Sequence, residues 1–268
     1  MQTAKRIPSI DRSTIMPDEP TWLYFPEWLK NDTWHFPYAY STFRKHIPRD
    51  SNVLEIGFGS GRILTRLAKD LNCRCVGIDI PDHAFPTIAF FCKQEGVHVE
   101  AMKGDGFALP FKDDSFDVVY SEGVIEHFPI ERSFEMVKEH ARVCKPGGIV
   151  IVSVPNKFAL LHSLTKRLLG SRFLFYPEAS YSNRQLSQFI QRSGLRPIAK
   201  DGFAFGCQFY MFQAFFLEET FPKASRIIGK TGLSILKKMH LYHFNNPSLN
   251  SLIGFQTMVI GQKTPMSG

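Results

Sequence analysis

The feature that most constrains this chain is a change of hydrophobic period, repeated along residues 51–156. Residues 52–57 form a short apolar run of strand character. Residues 62–71 then place Ile63, Leu64, Leu67, Ala68 and Leu71 on one side of a helix. The pairing recurs with a strand at 73–80, a helix at 85–95 closed by Gly96, and strands at 97–103 and 116–121. A helix at 130–143 has Phe134, Val137 and Ala141 at core spacing, and Lys145-Pro146-Gly147-Gly148 is expected to end it. Residues 149–154 are rich in β-branched side chains, as expected of a strand buried on both faces. Strands alternating with helices in this way call for an α/β fold built on a parallel, doubly wound sheet.

The rest of the chain flanks this core. Residues 1–50, rich in proline and aromatics, read as an N-terminal cap segment that becomes helical near 38–46. Residues 157–268 read as the C-terminal half of the same domain. An amphipathic helix at 158–169 comes first, and Ser182-x-x-Gln185 is a capping box for a helix that ends at Gly194. Strands at 195–203 and 254–262 enclose a Phe-rich, basic insertion, 204–253. The net charge of +7 is unevenly spread, −4 over 51–156 and +10 over 157–268, so the two parts are expected to meet different partners. Five cysteines are odd in number, and Cys73-Arg-Cys75 has the spacing of neither a redox pair nor a zinc pair. Reduced thiols and a cytoplasmic location are expected, since residues 1–14 contain no apolar signal core.

Chemistry concentrates at strand ends. Val53-Leu-Glu55-Ile-Gly57-Phe-Gly59-Ser-Gly61 joins the first strand to its helix, where glycines allow a sharp bend and close approach to a ligand. A dinucleotide fingerprint would need its third glycine at position 62, which is Arg62. An acid two residues before the first glycine would repel a pyrophosphate and suit a ligand carrying positive charge. Asp79 ends the second strand, placed to accept both ribose hydroxyls of an adenosine lying across the strand ends. Asp105, followed by Gly106, ends the third strand and could accept an adenine amino group. The fourth ends in Ser121-Glu122-Gly123-Val-Ile-Glu126-His127.

With these motifs in this order, VLEIGFGSG, GIDI, GDGFALPF, FDVVYSEGVIEHF and KPGGIVIVSVPN, the sequence resembles the class I S-adenosylmethionine-dependent methyltransferases. The branch that includes the ubiquinone- and menaquinone-pathway enzymes is nearest in flavour. The resemblance implies a Rossmann-like, seven-stranded sheet whose last strand runs antiparallel. It implies that Gly57, Gly59 and Gly61 pack against the methionine part of S-adenosylmethionine, with Glu55 supporting the loop. Asp79, with Ile80 beside it, would hold the ribose, Asp105 with Gly106 the adenine, and Glu122 would lie near the methionyl end. Ubiquinone-pathway enzymes show E-x-x-E-H at this place, with an acidic cluster that can hold a metal. The first Glu position is Gly123 here, so no metal is expected.

Methyl transfer to a hydroxyl needs a base, and His127, just beyond the fourth strand, is the first candidate. His35, His162 and Tyr181 are weaker ones. No [D/N/S]-P-P-[Y/F/W] follows the fourth strand and no Pro-Cys nucleophile is present, which sets adenine, glutamine and cytosine C5 acceptors aside. A small lipophilic or aromatic acceptor is expected, with O-methylation favoured; nucleic acid is not an expected partner. The insertion 204–253 is expected to shape the acceptor pocket and to touch anionic membrane. A methyltransferase of RNA or protein, and a non-catalytic cofactor-binding protein associated with membrane, stay open as alternatives.

Overall fold

A computed structural model describes residues 35–173, 177–212 and 247–264. Helix α1 (Phe36–His46) precedes β1 (Asn52–Ile56), α2 (Arg62–Leu71), β2 (Arg74–Asp79), α3 (Ala84–Glu95) and β3 (Glu100–Lys103). Strand β4 (Phe116–Glu122) leads through a 3-10 turn, Ile125–His127, into α4 (Ile130–Val143) and β5 (Cys144–Pro155). Then follow α5 (Leu160–Leu169), α6 (Asn183–Arg192), β6 (Leu195–Phe203), the short α7 (Cys207–Met211), α8 (Pro247–Ile253) and β7 (Gln256–Lys263). The sheet has seven strands in the order β3-β2-β1-β4-β5-β7-β6. Only β7 runs against its neighbours, pairing antiparallel with both β5 and β6.

The pleat divides the core. Val53, Val118, Tyr120 and Ile151 point to the face covered by α1, α2 and α3, packing with Phe43, Leu64, Leu67 and Ile88. Their sequence neighbours Leu54, Val119, Val150 and Val152 point to the face of α4 and α6, against Met136, Val137, Leu186 and Ile190. Full burial of each such side chain contributes about 1.5–3 kcal/mol, which is why the central strands read as continuous apolar runs. Cys73 and Cys75 lie together in the first of these clusters, behaving as small buried hydrophobes.

Several boundaries differ from the sequence expectation, three of them for a clear local reason. Helix α4 does stop at Val143, but Lys145-Pro146-Gly147-Gly148 belongs to β5, which begins at Cys144 by pairing with Phe116. The carbonyls of Ala141, Arg142 and Cys144 instead accept from the Lys263 ammonium on β7. Strand β3 starts at Glu100 rather than 97, because the N–H of Val97 donates to the Cys92 carbonyl and completes the end of α3 beyond left-handed Gly96. Helix α5 starts at Leu160 because the Asn156 side chain accepts from the Phe158 N–H and holds 156–158 in a turn. The capping box forms as expected, Ser182 accepting from Gln185 N–H and Gln185 accepting from Ser182 N–H. Most of the insertion, residues 213–246, and residues 1–34 of the cap segment lie outside the described residues. Among the described residues no helix is long and apolar enough to cross a membrane.

Candidate active site

The strand order reverses between β1 and β4, and a crevice opens there at the carboxyl edge of the sheet. It holds a cavity of about 260 Å³, walled by the ends of β1, β2, β3 and β4, by α1, and by the start of β7. Glu55, Gly57, Gly59, Asp79, Ile80, Asp105, Gly106, Glu122 and His127 all line it. Gly61 does not.

The glycine loop is held from both sides. Gly57, at φ +70°, donates its N–H to the Ile78 carbonyl, and a Cβ there would come within 2.4 Å of Val124. Gly59, at φ +52°, has open space where its Cβ would be, so the loop presents bare backbone to the cavity. Gly61 serves the fold, since a Cβ there would meet Ile88 on α3 at 2.3 Å. Asp79 clamps this loop to β2. Its Oδ2 accepts from Gly59 N–H at 2.7 Å and its Oδ1 from Ile80 N–H at 2.8 Å. Burial pushes the Asp79 carboxyl up to about 6, although both backbone donors act to lower it. Asp105 is more open and accepts from Phe107 N–H at 2.9 Å.

Beneath the loop Glu55 is buried, and its Oε2 has no hydrogen bond among the described residues. Burial holds its carboxyl well above the usual range; the Tyr120 hydroxyl opposes this, while Glu122 and Asp79 add repulsion. At the end of β4, Glu122 faces His35 from the N-terminus of α1, with Oε1 and Nε2 3.3 Å apart. The His35 ring also packs between Phe203 and Phe255. His127 is fixed by Pro177, whose carbonyl accepts from Nδ1 at 2.8 Å; that tautomer leaves the lone pair on Nε2. Burial lowers the pKa of the imidazole, and the Pro177 bond only partly compensates.

The far wall was not assigned from the sequence. Glu126, 3% exposed, follows β4 in the same turn as His127. Glu178 is held by His162 Nε2 at 2.7 Å and by Lys166 at 3.0 Å. Burial works against its charge, but these two partners prevail and keep the carboxyl below its ordinary pKa. Gln256 opens β7. His162 and Tyr181 lie behind the wall rather than in it, the Tyr181 hydroxyl donating to Ser133. Glu126 was legible beside His127 in the motif, whereas Glu178 and Gln256 carried no local signal.

Residues 53–148 match the model of a methyltransferase domain. An uncharacterized methyltransferase of Mycobacterium tuberculosis is 36% identical over 107 residues, 40% of this chain and 40% of its own length. An uncharacterized protein of Haemophilus influenzae is 32% identical over 107 residues, 38% of this chain and 42% of its own. One chain of the complex between the Haloferax volcanii Trm112 methyltransferase activator and a methyltransferase superposes with a TM-score of 0.61 at 15% identity. That match covers 92% of this chain and 99% of the other. Residues 53–148 are a methyltransferase domain of the class I S-adenosylmethionine-dependent kind. Among the described residues the fold is that of these methyltransferases, including the antiparallel seventh strand. The matched stretch spans about two fifths of the two curated relatives' length, 40% and 42%.

The fold implies use of S-adenosylmethionine, and the cavity of this methyltransferase domain suits that group. A sulfonium and an ammonium would meet the acid-lined end of β1 and β4, where Glu55 keeps an unmatched oxygen. Bare backbone at Gly59 leaves room for close approach, and Asp79 retains acceptor capacity beyond its two backbone bonds.

Proposed function

We propose that this chain transfers a methyl group from S-adenosylmethionine to a small lipophilic or aromatic acceptor, and that the accepting atom is a hydroxyl oxygen. The observation that carries this reading is one cavity joining the glycine loop, Asp79 and Asp105 to a neutral histidine, His127. When bound, the cofactor supplies an electrophilic methyl on a positively charged sulfur. In this reading the chain's own residues do the rest. Asp79 accepts from the ribose, and Asp105 with Gly106 borders the adenine. Glu122 offsets positive charge at the methionyl end, and Glu55 supports the glycine loop from beneath. His127 takes the hydroxyl proton on Nε2 while Pro177 holds the ring in place. Phe36, Phe128 and Phe255 enclose the acceptor in apolar surface and exclude water.

Transfer is tested by incubating the protein with methyl-labelled S-adenosylmethionine and a panel of phenols, aliphatic alcohols, amines and carboxylic acids. Label passing to a hydroxyl compound is the expected outcome; label found only on RNA or protein overturns the small-molecule reading. Cofactor binding is tested separately by calorimetry with S-adenosylhomocysteine. Hydrogen bonds to a charged acceptor contribute about 1.5–3 kcal/mol each, so Asp79→Asn is expected to weaken binding by roughly tenfold or more at pH 7. The Asp79 carboxyl titrates near 6 in the free protein, and the ribose bonds favour its ionised form. Wild-type affinity is therefore expected to be highest above that pH and to decline as pH falls through it, with the dependence lost in Asp79→Asn. Equal affinity and equal pH profiles would remove Asp79 from the ribose site.

A further inference from the structure

We propose that Glu126 and Gln256 form an acceptor subsite that recognises a protonated amine on the small molecule to be methylated. This deepens the function proposed above and rests on it. Both side chains line the cavity, and both are almost wholly buried, at 3% and 4% exposed. Glu126 Oε2 and Gln256 Oε1 each lack a hydrogen-bond partner among the described residues. A buried acceptor oxygen without a donor is costly, and two on one cavity wall are what an incoming donor would satisfy.

Charge selects among donors. Glu122, Glu126 and Glu178 all face this end of the cavity. Lys166 is committed to Glu178 and to Ser180, the latter at 2.6 Å, while His162 also holds Glu178 and His35 faces Glu122. Arg62, at the start of α2, lies over the Phe36 ring at 3.9 Å. Burial, with Glu178 beside it, holds the Glu126 carboxyl well above its ordinary range in the empty cavity, and an ammonium placed against it favours the ionised form. A cationic donor therefore gains most from this wall, a neutral hydroxyl gains less, and an anion is repelled. The subsite adjoins the methionyl end at Glu122 but is built on other elements than the rest of the cofactor residues. Glu55 and Asp79 sit on β1 and β2, whereas Gln256 comes from β7 and Glu178 from the segment before α6. The amine is the handle, held while a hydroxyl elsewhere on the same molecule meets His127.

Tyramine, 4-ethylphenol and 4-hydroxyphenylacetate share a ring and a hydroxyl and differ at the other end, as ammonium, methyl and carboxylate. Each is titrated by calorimetry at pH 7 into the full chain saturated with S-adenosylhomocysteine. Tyramine is expected to bind at least about tenfold tighter than 4-ethylphenol, with 4-hydroxyphenylacetate weakest. Glu126→Gln and Gln256→Leu are each expected to reduce that preference about tenfold while leaving S-adenosylhomocysteine and 4-ethylphenol affinities unchanged. A thermal midpoint for each variant establishes that it is folded. The proposal is overturned if wild type shows no preference for tyramine, or if the preference survives both substitutions. Loss of S-adenosylhomocysteine affinity in Glu126→Gln, with tyramine binding kept, would assign Glu126 to the cofactor and also overturn it. Should wild type bind no S-adenosylhomocysteine, the methyltransferase reading fails instead, and the same titrations on the protein alone still decide the subsite.

Discussion

Replacing His127 with alanine is expected to lower turnover of a hydroxyl acceptor by roughly 10²–10⁴-fold, the range for loss of a positioned general base. The geometry gives the reason. The Pro177 carbonyl accepts from Nδ1–H, so the ring presents Nε2 as its basic atom, and burial keeps it neutral at ordinary pH. Because the pKa is held below the ordinary 6.5, the wild-type rate is expected to fall only as pH drops below that value. The alanine variant should lose that acid limb together with its rate. Affinity for S-adenosylhomocysteine should hardly change, since His127 lies on the acceptor side. A variant with near-normal turnover and an unchanged pH profile would show that His127 only braces the Pro177 segment.

Gly61→Ala is expected to cost more stability than any other single glycine change in the loop. The backbone at Gly61 is left-handed, φ +66°, which costs a residue with a Cβ about 1–2 kcal/mol. The added carbon would also lie 2.8 Å from Ile88 Cβ and 2.3 Å from its Cγ1, so α2 and α3 would have to separate, adding about 1–3 kcal/mol of overpacking. A loss of roughly 2–5 kcal/mol is a large part of the 5–15 kcal/mol that holds a typical domain folded. Urea midpoints measure it. Gly59→Ala serves as the contrast, for its Cβ would enter open space in the cavity. That variant should keep most of its stability and lose cofactor affinity. The reverse pattern would exchange the roles assigned to the two glycines.

Much of this site was legible because it is local. A glycine loop between a strand and a helix, an acid at the end of the next strand and an acid at the end of the third are all patterns within a few residues. The alternation of strand and helix then forces those ends onto one edge of a parallel sheet. Gly61 shows the limit of that logic. It belongs to the motif as much as Gly57 and Gly59 do, yet its missing side chain makes room for Ile88, twenty-seven residues further along the chain. Glu126 stood in plain view beside His127, but nothing in the motif says that one of its oxygens ends up buried without a donor among the described residues.

By itself the sequence determined the alternation of strand and helix from β1 to β5 and the edge of the sheet where the candidate site lies, because hydrophobic period and turn chemistry act over short stretches. The far wall of the cavity was decided only in three dimensions. Gln256 reaches the site because β7 runs antiparallel, which puts its first residue beside Pro155, at the carboxyl end of β5. Glu178 reaches it because the Tyr181 N–H donates to the Pro155 carbonyl and the Ala179 N–H to the Glu126 carbonyl, anchoring the segment to the β5 end and the β4 turn. His35 arrives with α1, packed on the same edge, and meets Glu122, eighty-seven residues away in the chain. Strand direction and backbone pairing between distant segments set these meetings, and no periodicity along the chain records either.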